Sequence, residues 1–187
     1  INSLGTVVMA ASSAAFNIEV FAYFILNSFS QACTTFVGQN SGAGNCRRCR
    51  RVLRDCILED LLFTMLSIAL TLLFGRQMLG LFNPDAEVVS TGYTRLLWVF
   101  SAYAFSMLYE NIAGYLRGFG ISLAPSLLTV LGVCGVRIGW IYTVFQHEHT
   151  FPSILSAYPV SMAATAILLI IAVLVLRPSE KEAQTIG

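Results

Sequence analysis

The chain has 187 residues, of which 56% are hydrophobic and 11% charged, with a formal net charge of +1 and a mean hydropathy of +0.73. A soluble domain carries roughly a quarter charged residues, so this chain has about half the charge that solvates a globule. The balanced charge leaves no basic field for nucleic acid, and 12% aromatic content with so little charge excludes disorder.

What remains is an all-α polytopic membrane protein. A helical span needs about 20 mainly apolar residues, so this length admits at most about five or six. The first residue is Ile1, and no positive n-region precedes a short apolar core. No signal peptide is read, and the chain is expected to begin inside a longer protein.

Five apolar blocks follow in order: residues 6–42, 57–74, 96–116, 123–145 and 154–176. The first is too long for one straight crossing and must protrude, tilt or bend. None shows the alternating polarity of a barrel strand, so each is predicted to be a helix. Gly42, Gly44 and Asn45 end the first block. Asn83 and Pro84 lie in the second connection, and Gly118 and Gly120 close the third block. Pro125 falls in the first turn of the fourth block, where a missing N–H costs little. Pro159 lies inside the fifth, where it predicts a kink or local opening.

Arg47, Arg48, Arg50, Arg51 and Arg54 follow the first block, Arg117 follows the third, and Arg177 and Lys181 follow the fifth. That is eight of the 11 basic residues on one side. Arg76 and Arg95 lie in the opposite connections, and Arg137 lies inside the fourth block. The bias places the 45–54 loop and the C-terminus in the cytoplasm and the N-terminal end outside.

Polar residues inside the blocks are the candidate site. With about 100° per residue, Glu19, Tyr23, Asn27, Ser30, Gln31 and Thr34 fall within an arc of about 120° on the first helix. Ile18, Phe21, Ile25, Phe29 and Phe36 occupy the far, lipid-like side. Such a stripe faces either other helices or a water-filled cavity. In the third block Tyr103, Ser106, Glu110, Gly114 and Arg117 share one face by their i, i+3, i+4 spacing. Glu110 lies about 6 Å to the cytoplasmic side of its block centre. A carboxylate there is expensive to keep charged, which makes it a candidate proton carrier or the structural partner of a nearby Arg. Arg137 is the candidate ion-pair partner, though about 10 Å separates it from Glu110 along the membrane normal. Glu19 reaches toward it from the other direction, and the sequence leaves the choice open.

Other chemistry is thin. Cys46 and Cys49 form one CxxC, with Cys56 nearby and no His close in sequence. A structural zinc site needs four ligands, so these read as reduced thiols and no metal is expected. His147 and His149 flank Glu148 in a short outer loop and read as solvated. No Ser/His/Asp order, Gly-rich phosphate loop or paired-carboxylate site appears, so neither an enzyme nor a cofactor is predicted. The arginine cluster is a topology signal and a weak contact for anionic lipid.

The run Ala32-Cys33-Thr34-Thr35-Phe36-Val37-Gly38-Gln39-Asn40-Ser41-Gly42-Ala43-Gly44-Asn45, followed by basic residues, resembles the eighth helix of the multidrug and toxic compound extrusion (MATE) transporters. Gly114-Tyr115-Leu116-Arg117-Gly118-Phe119-Gly120 is similar to that family's Leu-Arg-Gly-x-Gly near the tenth helix, and Val136-Arg137-Ile138 to its eleventh. The resemblance covers essentially the whole chain. It implies twelve helices in two six-helix lobes around a shared cavity, in a bacterial inner membrane. It also implies export of cationic or amphipathic compounds driven by inward H⁺ or Na⁺.

By that count the chain supplies helices eight to twelve of the C-terminal lobe, with Ile1-Asn2-Ser3 the tail of helix seven. Its partners are lipid, the N-terminal lobe and small cationic substrates. Three positions depart from the family pattern. A common Pro falls at Ile25, another falls at Gly139, and an acid of some members falls at Ser106, one turn before Glu110. The substrate or ion cavity is predicted at Glu19, Tyr23, Asn27, Gln31, Thr34, Tyr103, Ser106 and Glu110. The rival readings are a lipid-linked-precursor flippase of the same superfamily, a membrane-embedded enzyme and a non-transporting membrane scaffold.

Overall fold

A computed structural model describes residues 5–147 and 150–178, all of it helix and short connections among those residues. Helix α1 spans Thr6–Gly42 and α2 spans Cys46–Phe82, 37 residues each. At 1.5 Å per residue each is about 55 Å long, well beyond a hydrocarbon core of about 30 Å. The two form an antiparallel hairpin. Its turn is closed by Gly44 N–H to Ser41 O and Asn45 N–H to Asn40 O, both 2.8 Å. This double bond pattern needs a left-handed residue, and Gly44 supplies φ +74° without a Cβ penalty.

The expected arginine loop is corrected here. Arg47 to Arg54 sit on the first turns of α2, not in a connection. Their charged heads leave the apolar stretch while the backbone stays helical, because nothing in the run breaks the hydrogen-bond ladder.

The third block is divided at Ala102 between α3 (Ala86–Ser101) and α4 (Tyr103–Gly118). The ladder tightens at this joint: Ala102 N–H bonds Val99 O at 3.3 Å, and Phe105 N–H bonds Ala102 O at 3.0 Å. Asp85 caps α3 by accepting from Glu87 N–H at 2.9 Å. Neither sixteen-residue piece is long enough to cross by itself. Among the described residues four helices are long and apolar enough: Thr6–Gly42, Cys46–Phe82, Leu123–Gln146 and Phe151–Leu176.

The fourth block is one rod made of α5 (Leu123–Thr129), a π-helical segment (Val130–Gly135) and α6 (Val136–His147). The fifth is α7 (Phe151–Leu155) and α8 (Ala157–Leu176). They meet at Ser156, and Pro159 cannot return a hydrogen bond to Leu155, which is where the predicted opening lies.

Helix α4 is the hub. Eleven of its sixteen residues are buried, against α1, α2 and α8. Leu26, Leu96, Leu116 and Leu169 are fully enclosed in the shared core. In lipid, apolar contact alone drives no association, so close approach has to come from small residues. A Cβ on Gly114 would lie 2.5 Å from the Ser30 backbone oxygen, and one on Gly118 would lie 2.6 Å from the Val37 side chain. These two glycines let α1 and α4 touch backbone to backbone.

Ile18, expected on the lipid side, is instead 3% exposed within the core. Phe29 packs against Phe63 of α2 with tilted rings 5.5 Å apart, and Ile25 lines the groove between the two helices. Only Phe21 and Phe36 of that set are exposed. A helical wheel separates polar from apolar; it does not count neighbours, and α1 has neighbours on two flanks.

Candidate functional site

The α1–α4 seam carries two polar clusters. In the first, Arg95 of α3 grips both carboxylate oxygens of Glu19, with Nε to Oε1 at 2.7 Å and Nη2 to Oε2 at 3.0 Å. Both side chains are almost fully buried. The fork geometry matches guanidinium to carboxylate and fixes α3 against α1. Tyr103 donates its hydroxyl to the Glu19 backbone oxygen at 3.1 Å.

In the second cluster Ser30 donates to the Glu110 backbone oxygen at 2.7 Å and accepts from Arg117 Nη2 at 2.9 Å. Thr34 donates to Gly114 O at 3.1 Å and to its own helix at Ser30 O at 2.9 Å. The Glu110 carboxylate accepts from Tyr23 at 3.4 Å and lies 3.8 Å from Arg117 Nη2.

Arg137 therefore pairs with neither acid. Its Nε donates to Ser161 of α8 at 3.0 Å, and its guanidinium lies 4.2 Å over the Tyr158 ring. Both acids had nearer cations. Arg95 was read as part of a connection because the stretch before it is polar, yet it is 4% exposed in α3.

A cavity of about 310 Å³ opens among α1, α3, α4, α6 and α8. Glu19, Tyr23, Tyr103 and Ser106 of the predicted set line it, joined by Arg95, Tyr109, Arg137 and Tyr158. Thr34 and Glu110 lie below it in the seam. Asn27, half-buried, and Gln31, exposed, continue the stripe along the open face of α1 outside the cavity wall. Helix α1 therefore does both things a polar stripe can do, bonding α4 on one edge and opening to a cavity on the other.

A further buried acid was not anticipated. Asp60 of α2 is fully enclosed and accepts from Asn111 Nδ2 at 2.5 Å and from Thr64 at 3.2 Å. No cation meets it among the described residues. It follows the arginine cluster closely in sequence and so reads as part of a charged helix end. The i, i+4 pair Asp60–Thr64 leading into an apolar run was the available signal. Cys33, Cys49 and Cys56 share a small core with Val37 and Tyr115. No three metal-ligating groups converge among the described residues. Glu148, His149 and the His147 side chain lie outside them.

Four helices long and apolar enough to cross a membrane, joined through internal ion pairs beside a cavity, define a multi-pass membrane protein. The chain matches the sequence profile of the MatE family over residues 1–143. It is 27% identical over 179 residues to the "Probable multidrug resistance protein NorM" of Pasteurella multocida, covering 91% of this chain and 38% of that protein. It is 30% identical over 142 residues to the protein of the same description from Chromobacterium violaceum, covering 74% of this chain and 30% of that one. With "Multidrug and toxin extrusion protein 1" of Mus musculus the identity is 29% over 143 residues, covering 73% of this chain and 24% of the relative. The chain belongs to the MatE family of membrane multidrug efflux transporters, which are not enzymes. It spans between about a quarter and two fifths of the length of these relatives.

Proposed function

We propose that these residues form the C-terminal lobe of a twelve-helix, two-lobe antiporter that exports cationic or amphipathic compounds in exchange for H⁺ or Na⁺. The observation that carries the reading is the open polar edge of α1. Tyr23 is 40% exposed and Gln31 is exposed on a helix that crosses a membrane. Polar groups at that depth need water or a facing protein surface. The facing surface is the second lobe, and the cavity beside Tyr23 is one wall of the shared chamber. Helices α3 and α4 together, about 45–50 Å end to end, make the fifth crossing. The arginine-rich start of α2 and the end of α8 face the cytoplasm. Glu110, held between Tyr23 and Arg117 at the base of the chamber, is the ion-handling acid of this lobe.

Two bundles have to rock about a shared site for alternating access, and one lobe cannot do so. The test is drug efflux from cells making this chain alone, beside cells making it together with the rest of the protein. Efflux is expected only on reunion. Equal efflux from the chain alone would overturn the reading. Orientation is tested separately at Arg48, which is exposed where Cys46 and Cys49 are buried. An Arg48→Cys variant lacking the native thiols should resist impermeant maleimide in intact cells and react once the membrane is opened. Labelling in intact cells would reverse the topology.

A further inference from the structure

A second cleft, of about 450 Å³, lies at the far end of α4 from the polar cavity, between the start of α2 and the end of α8. Arg50 lines it from α2, and Arg177 from just past α8. No carboxylate lines it among the described residues. Leu53, Val173 and Leu174 make its walls apolar, and Tyr115 of α4 lines it as well. Arg54, one turn along α2, is neutralised by Asp55 at 2.8 Å. Arg50 has no carboxylate within ion-pair distance among the described residues.

The other arginine is placed by the backbone. Arg177 ends α8 at φ +42°, in the left-handed region, with its N–H on Val173 O at 3.0 Å. Glycine would take that turn with no Cβ cost. The arginine instead keeps a side chain at the helix end, where Nε donates to Leu174 O at 3.3 Å. Both arginines lie beyond the apolar stretch of their helices, which begins at Ile57 on α2 and ends at Leu176 on α8. In a bilayer that is the level of the headgroups. Two guanidiniums lining one cleft repel, and a shared phosphate relieves the repulsion through charge-assisted bonds. The apolar walls run on into the outer face of α8, where Leu174 is 64% and Val175 69% exposed. The occupant that fits has an anionic head and an apolar body. Basic pockets between helices at this level are where acidic lipid headgroups bind.

From the two arginines and the apolar walls between them, we infer that this cleft binds one anionic phospholipid, with its phosphate between Arg50 and Arg177 and an acyl chain along α8. The site is more specific than the weak lipid contact expected of the whole arginine cluster. It selects one arginine of that cluster and joins it to one from the other end of the chain. It stands apart from the export reading, because it needs only that α2 and α8 cross the membrane. The competing occupant is the chain's own residues 179–187, which include Glu180 and Glu182.

The experiment titrates the full-length protein in detergent with dioctanoyl phosphatidylglycerol, dioctanoyl phosphatidylcholine and inorganic phosphate. Binding is read by native mass spectrometry. Phosphatidylglycerol should bind more tightly than either of the others. Arg50→Gln and Arg177→Gln should each weaken it by about fivefold, and together by about twentyfold to thirtyfold. Arg48 lies about 200° around α2 from Arg50, so Arg48→Gln removes the same charge outside the cleft and should change affinity by less than about twofold. All three arginines are exposed, so the variants should fold. Equal losses from Arg48→Gln and Arg50→Gln would make the attraction a diffuse field and overturn the site. Equal binding of phosphatidylcholine would reduce the cleft to an acyl groove and overturn the role of the arginines. Inorganic phosphate that displaces the lipid would make the ligand a free anion. Tighter lipid binding after Glu180→Gln with Glu182→Gln would give the cleft to the chain's own residues instead.

Discussion

The α1–α4 seam and the rod from Leu123 to His147 are both apolar stretches beside the same cavity, but they are held in opposite ways. Along the seam, glycines admit the facing backbone, and Ser30, Thr34 and Tyr103 bond across it to main-chain oxygens. Of the rod's described side chains, only Pro125 and Gly132 are buried. A few contacts hold it: Gly132 against Thr165, Arg137 on Ser161 and Tyr158, and Trp140 Nε1 donating to Ser153 O at 3.0 Å. Apolarity puts a segment in the membrane; only small residues and satisfied polar groups bind it to its neighbours. The seam is the tightly bonded part of the fold, and the rod is the more exposed one.

That contrast is open to attack, starting with the largest expected effect. Glu19→Ala leaves Arg95 buried without a counter-charge and should cost about 3–5 kcal/mol, read as a lowered midpoint in detergent-titrated unfolding. A change under about 1 kcal/mol would mean that water reaches the pair. Gly114→Ala should come next, at about 1–3 kcal/mol, because the added methyl meets backbone that cannot step aside. Its counterpart on the rod is Gly139→Ala, where nothing lies within 4 Å of the added Cβ. There the better helix former should stabilise by up to about 1 kcal/mol. Equal losses at both glycines would abolish the distinction between seam and rod. Smallest in stability is Glu110→Gln, expected within about 1 kcal/mol because the amide oxygen still accepts from Tyr23. Its effect belongs to transport: efflux by the full-length protein should fall at normal expression, and unchanged efflux would reduce Glu110 to a structural role.

Much of this was legible in the residues. Apolar length located four of the five expected blocks as helices long enough to cross a membrane, and helical spacing found the stripe Glu19–Tyr23–Ser30–Thr34 and the face Tyr103–Ser106–Glu110–Gly114 that meets it. The break at Ala102 was not legible, because no Pro or Gly marks it. It lies where the chain passes from α3, with six buried residues, to the more deeply buried α4, with eleven. The partners of the acids were also hidden. Depth along a helix axis narrows the candidates for Glu19, but which arginine arrives depends on how α3 folds back, a tertiary outcome. Asp60 escaped for a related reason: local charge density describes solvation by sequence neighbours, and Asn111 is a neighbour only in space.

The π segment changes what a residue count means along the rod. Bonding from i to i+5 holds about one more residue in a turn than an α-helix does, a phase offset of roughly 100°. Residues before Val130 and after Gly135 therefore do not lie on one common stripe, and a single wheel drawn through 123–145 mixes two faces. The spare residue is also slack in the register. Deleting one position between 130 and 135 would return the rod to plain α-helix with Arg137 still over Tyr158. The same deletion one turn later, between Arg137 and Trp140, would swing the indole away from Ser153 while the arginine stayed in place.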